Sequence, residues 1–450
     1  MMRAFATAFL AAGLGLAHGA ETPQGVFGTW GGLRTALSDY GVEFELSYIN
    51  ESAANVSGGA SREAASADQI FLGGSLDLNR LVGAPGAKII FSITDRNGVS
   101  LSTKAGLNTL LEVQEIYGEG NYTRLNQLYW EQQLFDNKVL LKFGRLTGTF
   151  DFMPFSCDFQ NITFCATIPS HGVVANWIAF PGDTWAGVAR FNLKHDWYVQ
   201  GGVYEVNPDF QEHKYRFAFG TPFGGQGTRE VAEVGWLPAS AGSNGGYRLG
   251  AWYDNVGGDD LYLNTAGQPL ATSGGTPLQR HHQSGFYAMA QQHIWSPAED
   301  TLASSPSASS VPAPRPRPRT AETRGVSVFM NFMQADPRIT TKQQIVEVGL
   351  FWTGPFAARP RDDLGVAIGR THVNNLIAQG QALYNAEVAL PSGLTRQPIQ
   401  HNEYPMEIYY GIKVTPAIDL RPNIQIIHAP GGVNERTDVV LFGLHLAVQF

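Results

Sequence analysis

The chain ends on a strict alternation. In "TDVVLFGLHLAVQF", Val440, Phe442, Leu444, Leu446, Val448 and Phe450 share one face of an extended strand, and that face is uniformly apolar. Val439, Leu441, Gly443, His445, Ala447 and Gln449 share the other, which mixes small, polar and apolar groups. A period of two is the mark of a strand. The pattern first appears in "VEFELSY", where Val42, Phe44, Leu46 and Tyr48 oppose Glu43, Glu45 and Ser47. It predicts further strands at about 69–79, 87–95, 126–135, 139–147, 184–193, 197–205, 229–236, 246–254, 284–296, 324–334, 344–354, 363–371, 405–418, 422–429 and 438–450. Before the first strand, "GTWGGLRTALSDYG" places Trp30, Leu33 and Leu37 on one helical face with Gly41 as a stop, so a short helix is expected there.

The total is about sixteen strands, an even number, each near the nine to eleven residues of a tilted membrane strand. The connections discriminate between a soluble sandwich and a barrel. "VGAPGA", "FDNK", "LKHD" and "DLRPN" read as tight turns, whereas 96–125, 148–183, 206–228, 255–283 and 372–404 are long. Long and short connections alternate, as in outer-membrane barrels with long extracellular loops and short periplasmic turns. Closure also satisfies every backbone group, which a lipid environment requires. The expected fold is therefore all-β, a transmembrane antiparallel barrel. One segment departs from the rule: 297–323, "PAEDTLASSPSASSVPAPRPRPRTAET", falls on the turn side by parity. Its composition suits a disordered or polyproline-like insertion. It reads as a tolerated periplasmic insertion, with a contact through Arg315, Arg317 and Arg319 as the alternative.

Composition changes the picture only in part. Charged residues are 16% of the 450, below the roughly 25% of soluble domains. The net charge of -8 and the lack of a basic run outside the insertion argue against nucleic acid as a partner. The start, "MMRAFATAFLAAGLGLAHGA", has the charge, the short apolar run and the small-residue exit of a secretory signal peptide. The expected organisation is a signal peptide at 1–20, a periplasmic segment with the short helix at 21–41, and the barrel at 42–450. Export permits a disulfide between Cys157 and Cys165, two free thiols being the alternative. A metal site there lacks a full ligand set, since His171 is the only other soft ligand nearby.

Several stretches resemble the OprB-type carbohydrate-selective porins: "GTWGGLRTALSDYGVEFELSYINESAANVSGG", "KFGRLTGTFDF" followed by "SCDFQNITFC", "RPRDDLGVAIG", "EIYYGIKVTPAIDLRPNIQIIHAPGG" and the closing Phe450. The resemblance runs in order from about Gly28 to Phe450 and implies an outer-membrane barrel of sixteen strands that passes mono- and small oligosaccharides by diffusion. Lipid bilayer and lipopolysaccharide are then the surroundings, and Phe450 the residue read by the barrel-assembly machinery. No cofactor and no metal is expected.

A porin's chemistry is the lining of its lumen. The alternation nominates Glu43, Glu45, Tyr129, Glu131, Lys142, Arg190, Glu347, Glu407, Lys413 and Gln425 as inward-facing. Both signs occur, which suits neutral, hydroxyl-rich solutes. Tyr129, Tyr198 and Tyr204 offer rings for stacking on sugar faces. The narrow point is expected where a long loop folds inward, with "TDRNGVSLS" and "GRLTGTFDF" as candidates and Asp95, Arg96, Arg145 and Asp151 near the outer strand ends. The rival readings are a barrel enzyme and a soluble secreted sugar-binding protein. His171, His281, His282, His293 and His401 occur, but none sits in a recognised nucleophile motif.

Overall fold

The alternating segments become strands that pair in chain order until the last meets the first. In the computed structural model the strands are β1 Val42–Ser57, β2 Ala64–Asp77, β3 Ala87–Gly98, β4 Thr123–Leu134, β5 Val139–Leu146, β6 Thr184–Asn192, β7 Trp197–Val206, β8 Gly227–Trp236, β9 Gly245–Asp254, β10 Gly258–Asn264, β11 Pro277–Arg280, β12 Gln283–Trp295, β13 Gly325–Ala335, β14 Lys342–Thr353, β15 Asp363–Val373, β16 Asn402–Thr415, β17 Ile418–His428 and β18 Val439–Gln449. Sixteen of them form one closed antiparallel barrel, and β10 and β11 make a separate hairpin. The structure describes residues 25–450 except 119, 166–167, 171–172, 175–176, 219, 221–223, 239–244, 298–323 and 388–395. The expected signal peptide and nearly all of the proline-rich insertion lie outside the described residues. No described helix is long and apolar enough to cross a membrane.

Facing follows the alternation. Along β18, Phe442 and Leu444 are 53% and 42% exposed, while Val439 and Leu441 are fully covered. The same outward exposure recurs at Trp130, Phe143, Leu249, Phe286, Met330, Ile368, Met406 and Ile408. A continuous apolar band of this kind is a liability in water and a solvation surface in lipid. At the end of the barrel carrying the short turns, Trp197, Trp236 and Tyr247 stack in a row with centroids 5.8 and 5.4 Å apart, as in an interfacial aromatic belt. We call this the turn end, and the other the loop end.

Two expectations need correcting. The first strand exceeds the expected nine to eleven residues, continuing past the alternation of "VEFELSY" to Ser57. Its outward face turns polar there, Asn50 and Ser52 both bonding to the Ser66 hydroxyl, so the apolar signal fades while the ladder persists. "DLRPN" is not a turn: β17 begins at Ile418, and Pro422 pairs with Leu444 inside the sheet. Proline needs a place where its missing N–H costs no bond. Here the β16–β17 ladder skips from Ile412↔Leu420 to Tyr409↔Asn423, and the gap falls beside Pro422. Length is also not a strict marker of side. The loop-end connections 58–63 and 336–341 are short.

The N-terminal segment closes the seam between the first and last strands. The Val26 amide donates to the Gln449 carbonyl at 2.8 Å, and the rings of Phe27 and Phe450 stack at 5.5 Å. The helix Leu33–Asp39 follows, and its Arg34 donates to the main-chain oxygens of Phe450 and Phe44, each at 3.3 Å. Phe450 is therefore half-covered by the chain's own N-terminal segment rather than simply extending the lipid face.

Candidate functional site

The lumen is not an open tube of strand-borne polar groups. The described part of the connection 147–183 folds into it, carrying Phe152, Phe155, Phe159, Phe164 and Trp177, each at most 4% exposed. Phe155 and Phe159 pack on inward-facing rings of the wall: Phe155 lies 4.7 Å from Phe329, and Phe159 lies 5.5 Å from Phe351 and 5.1 Å from Tyr409. Burying one such ring contributes about 1.5–3 kcal/mol, enough to hold a long loop in place. Cys157 and Cys165 are joined by a disulfide and are buried with this segment.

Wall carboxylates fasten the loop by its backbone. Glu407 accepts from the amides of Gln160 and Asn161 at 2.8 and 2.7 Å. Gln425 accepts from Asn161 Nδ2 at 3.0 Å. Glu233 accepts from the Met153 amide, Gln200 Nε2 and the hydroxyls of Tyr198 and Tyr287, at 3.1, 2.9, 2.7 and 2.7 Å. The preceding connection joins in. The Glu115 amide donates to Gln160 O, and Ile162 N to Glu112 O, at 2.9 and 3.1 Å.

The candidate residues divide accordingly. Glu407, Gln425 and Glu347 face inward but are buried, the first two under the loop and the third accepting from Asn331 at 3.1 Å. Glu45 faces inward and is buried too, whereas Glu43 and Glu131 are half-buried. Asp95 is on the outer face, bonded to Thr123 Oγ1 and Asn97 Nδ2 at 2.5 and 2.6 Å. Arg96, its chain neighbour, faces inward and donates to Gln69 Oε1 at 2.8 Å. Neighbours on a strand cannot share a face, so only one of that pair can line the lumen. Tyr129, Tyr198 and Tyr204 are inward but not open platforms. Lys142 lies over Tyr129, Arg190 over Tyr198, and Phe152 meets Tyr204 edge-on, at 5.4, 3.7 and 6.1 Å.

Several lumen charges are neutralised in place by ion pairs. Toward the loop end, Arg145 meets Asp183 at 2.5 Å, and Arg229 grips Asp254 through two bonds of 2.6 and 2.7 Å while lying over Trp177. Toward the turn end, Lys142 meets Asp151 at 2.8 Å, Lys413 meets Asp419 and Asp363 at 2.7 and 3.3 Å, and Arg421 meets Asp419 and Asp158 at 2.5 and 3.1 Å. The last pair ties the wall to the inward loop.

The sequence reading missed Glu233, Arg248, Asp419, Arg421 and Asp158. Alternation alone could have found Glu233, which sits between the outward Ala232 and Val234 positions of β8, and Arg248, which precedes the outward Leu249. Arg421 and Asp419 were hidden by reading "DLRPN" as a turn.

Residues 61–450 match the family model of the carbohydrate-selective porin, OprB family. The chain belongs to that family. It is 34% identical to Porin B of Pseudomonas aeruginosa, over 98% of this chain and 95% of that protein. It is 29% identical to a putative porin, QuiX, of Acinetobacter baylyi, over 95% and 93%. The high-pH structure of Pseudomonas putida OprB superposes with a TM-score of 0.87 at 33% identity, covering 96% of this chain and 99% of that one. The protein is thus an outer-membrane porin of the carbohydrate-selective family, with the barrel expected from its alternation.

Proposed function

We propose that the barrel is a passive diffusion channel for small mono- and oligosaccharides, with no catalytic step, and that solutes cross from the loop end outside the cell to the turn end in the periplasm. The observation that carries this reading is the inward connection 147–183, pinned by Glu407 and Glu233 inside a lumen that carries both signs of charge, several of them paired. A narrow passage with balanced charge offers donors and acceptors to hydroxyls while favouring neither ion strongly. Outward of the strands, the apolar band meets the bilayer and its loop-end rim meets lipopolysaccharide. During assembly Phe450 is the residue offered to the barrel-assembly machinery.

Liposome swelling with sugars of graded size, against amino acids of matched size, tests the reading. Sugars should enter faster than matched amino acids, with a size cut-off. Equal rates at every size would remove the carbohydrate selectivity, and rates no better than protein-free vesicles would remove the channel.

A further inference from the structure

Two inward arginines differ from the paired cations around them. Arg190 on β6 and Arg248 on β9 stand near the turn end of the lumen, both half-buried. Tyr198 on β7 fixes both. The Arg190 guanidinium stacks on its ring at 3.7 Å, and Arg248 Nε donates to its hydroxyl at 3.1 Å. Gly235 on β8 makes this reach possible. It pairs with both Tyr198 and Arg248, and a Cβ there would meet the tyrosine ring at 2.2 Å. The missing side chain lets the ring lie across β8 toward β9.

Neither arginine is ion-paired among the described residues, unlike Lys142, Arg145, Arg229, Lys413 and Arg421. Arg190 does bond to Asn192 Oδ1 at 2.9 Å through Nε, a contact that steadies its fork without neutralising it. Glu233 is close, but its two oxygens already accept from Tyr198, Gln200, Tyr287 and the Met153 amide. The sequence between β8 and β9 at 239–244 is Ala-Ser-Ala-Gly-Ser-Asn and contains no carboxylate. Counting Glu233, the cluster holds one net positive charge, with two guanidinium forks held in place by stacking and hydrogen bonding. A planar fork matches a carboxylate through two parallel bonds, and prior ordering reduces the entropy lost on binding.

We infer that Arg190, Tyr198 and Arg248 form a carboxylate-accepting subsite at the turn end of the lumen, so that the channel takes polyhydroxylated monocarboxylates, the sugar acids, alongside neutral sugars. This deepens the diffusion reading and rests on it. The hydroxyls of such a solute use the same mixed lining as a sugar, and its carboxylate finds here two neighbouring lumen cations that no acidic side chain pairs among the described residues.

The test compares fluxes of labelled gluconate and labelled glucose into vesicles carrying the full-length protein, scored as their ratio. The Arg190→Gln/Arg248→Gln variant should lower the gluconate-to-glucose ratio by about fivefold, the effect of roughly one exposed ion pair at the strong end of its range. Arg248→Gln alone should give an intermediate ratio. Lys138→Gln/Lys194→Gln, which removes equal charge from exposed turns at the same end, should leave the ratio unchanged. A wild-type ratio in the double arginine variant would overturn the inference. So would an equal fall in the lysine variant, which would mark a diffuse field rather than a site. Gel migration before and after heating confirms that each barrel is folded. Wild-type glucose flux no better than empty vesicles would defeat the diffusion reading instead, and the gluconate measurement would still decide the subsite.

Discussion

The Glu407→Gln substitution preserves the shape of the side chain and replaces one acceptor oxygen by an NH2 donor. Glu407 uses its two oxygens separately, one for the Gln160 amide and one for the Asn161 amide, at 2.8 and 2.7 Å. Either rotamer of glutamine leaves one of these buried N–H groups facing another donor. The loss is one hydrogen bond to a charged group plus an unsatisfied buried donor, roughly 2–4 kcal/mol. A bias of about 3 kcal/mol changes the balance between docked and displaced loop more than a hundredfold. The loop does not leave the lumen, because Phe155 and Phe159 remain buried among the wall rings and Cys157–Cys165 still closes the segment. What changes is the position of residues 160 and 161. The barrel itself should be untouched, since its ladder does not depend on this carboxylate. Planar-bilayer recording should show a higher or more fluctuating conductance, and swelling should show a larger sugar cut-off. Heat-modifiable migration should match the wild type. A folded Gln variant with unaltered conductance, noise and cut-off would refute the reading that this carboxylate fixes the loop's position in the lumen.

Four further outcomes are expected. Thiol labelling of the unfolded, unreduced protein should find no reactive cysteine, and labelling after reduction should find both Cys157 and Cys165; two reactive thiols before reduction would remove the bridge. Leu444→Arg puts a cation on the lipid face and should destabilise the refolded barrel by roughly 2–4 kcal/mol if Leu444 lies near the bilayer midplane, measured by denaturant titration in vesicles. An epitope tag near Ser309 should be hidden on intact cells and exposed on permeabilised ones; surface staining would reverse the assigned orientation. At the loop end, Asp260 and Arg280 bond within the hairpin β10–β11, and the Leu261 amide donates to the carbonyl of Arg338, whose guanidinium Asp336 holds. Burial alone would raise both carboxyls, but for Asp260 the amides of Leu263 and Tyr262 and the Arg280 guanidinium prevail, and for Asp336 the hydrogen bonds and charge of Arg338 do, so both sit below the ordinary value of 3.8. A depressed folded value gives stability that is complete above the unfolded value and lost as pH falls through the folded one. Hydrogen exchange should therefore find the hairpin protected at about pH 5 and loosened only below the ordinary carboxylate range; loosening already near neutrality would contradict these ties.

The barrel was legible because its determinants are local. A strand declares its lipid face by period, and "VVLFGLHLAVQ" assigned Phe442 outward and Leu441 inward without knowledge of any other strand. Legibility failed where a residue's role depends on something distant in sequence. Glu407 was nominated as a pore-lining group because it faces inward, and it does, but residues 160–161 cover it. Tyr129 and Tyr204 were nominated as stacking platforms, and Lys142 and Phe152 occupy their rings. Alternation specifies a direction and says nothing about what fills the space in that direction. The composition of 147–183 did hold a signal. A long extracellular loop has no reason to carry Phe152, Phe155, Phe159, Phe164 and Trp177 unless it buries them, and a barrel offers one dry place to do so, its own interior. Once that loop is inside, its backbone amides must find acceptors away from water. The inward carboxylates then serve two purposes. Some, such as Glu407 and Glu233, satisfy the loop's backbone and side chains, and some, such as Asp151, Asp183 and Asp419, hold cations in place. Arg190 and Arg248 stand outside both arrangements, ordered by Tyr198 rather than by an acid, which is why the inferred subsite is placed on them.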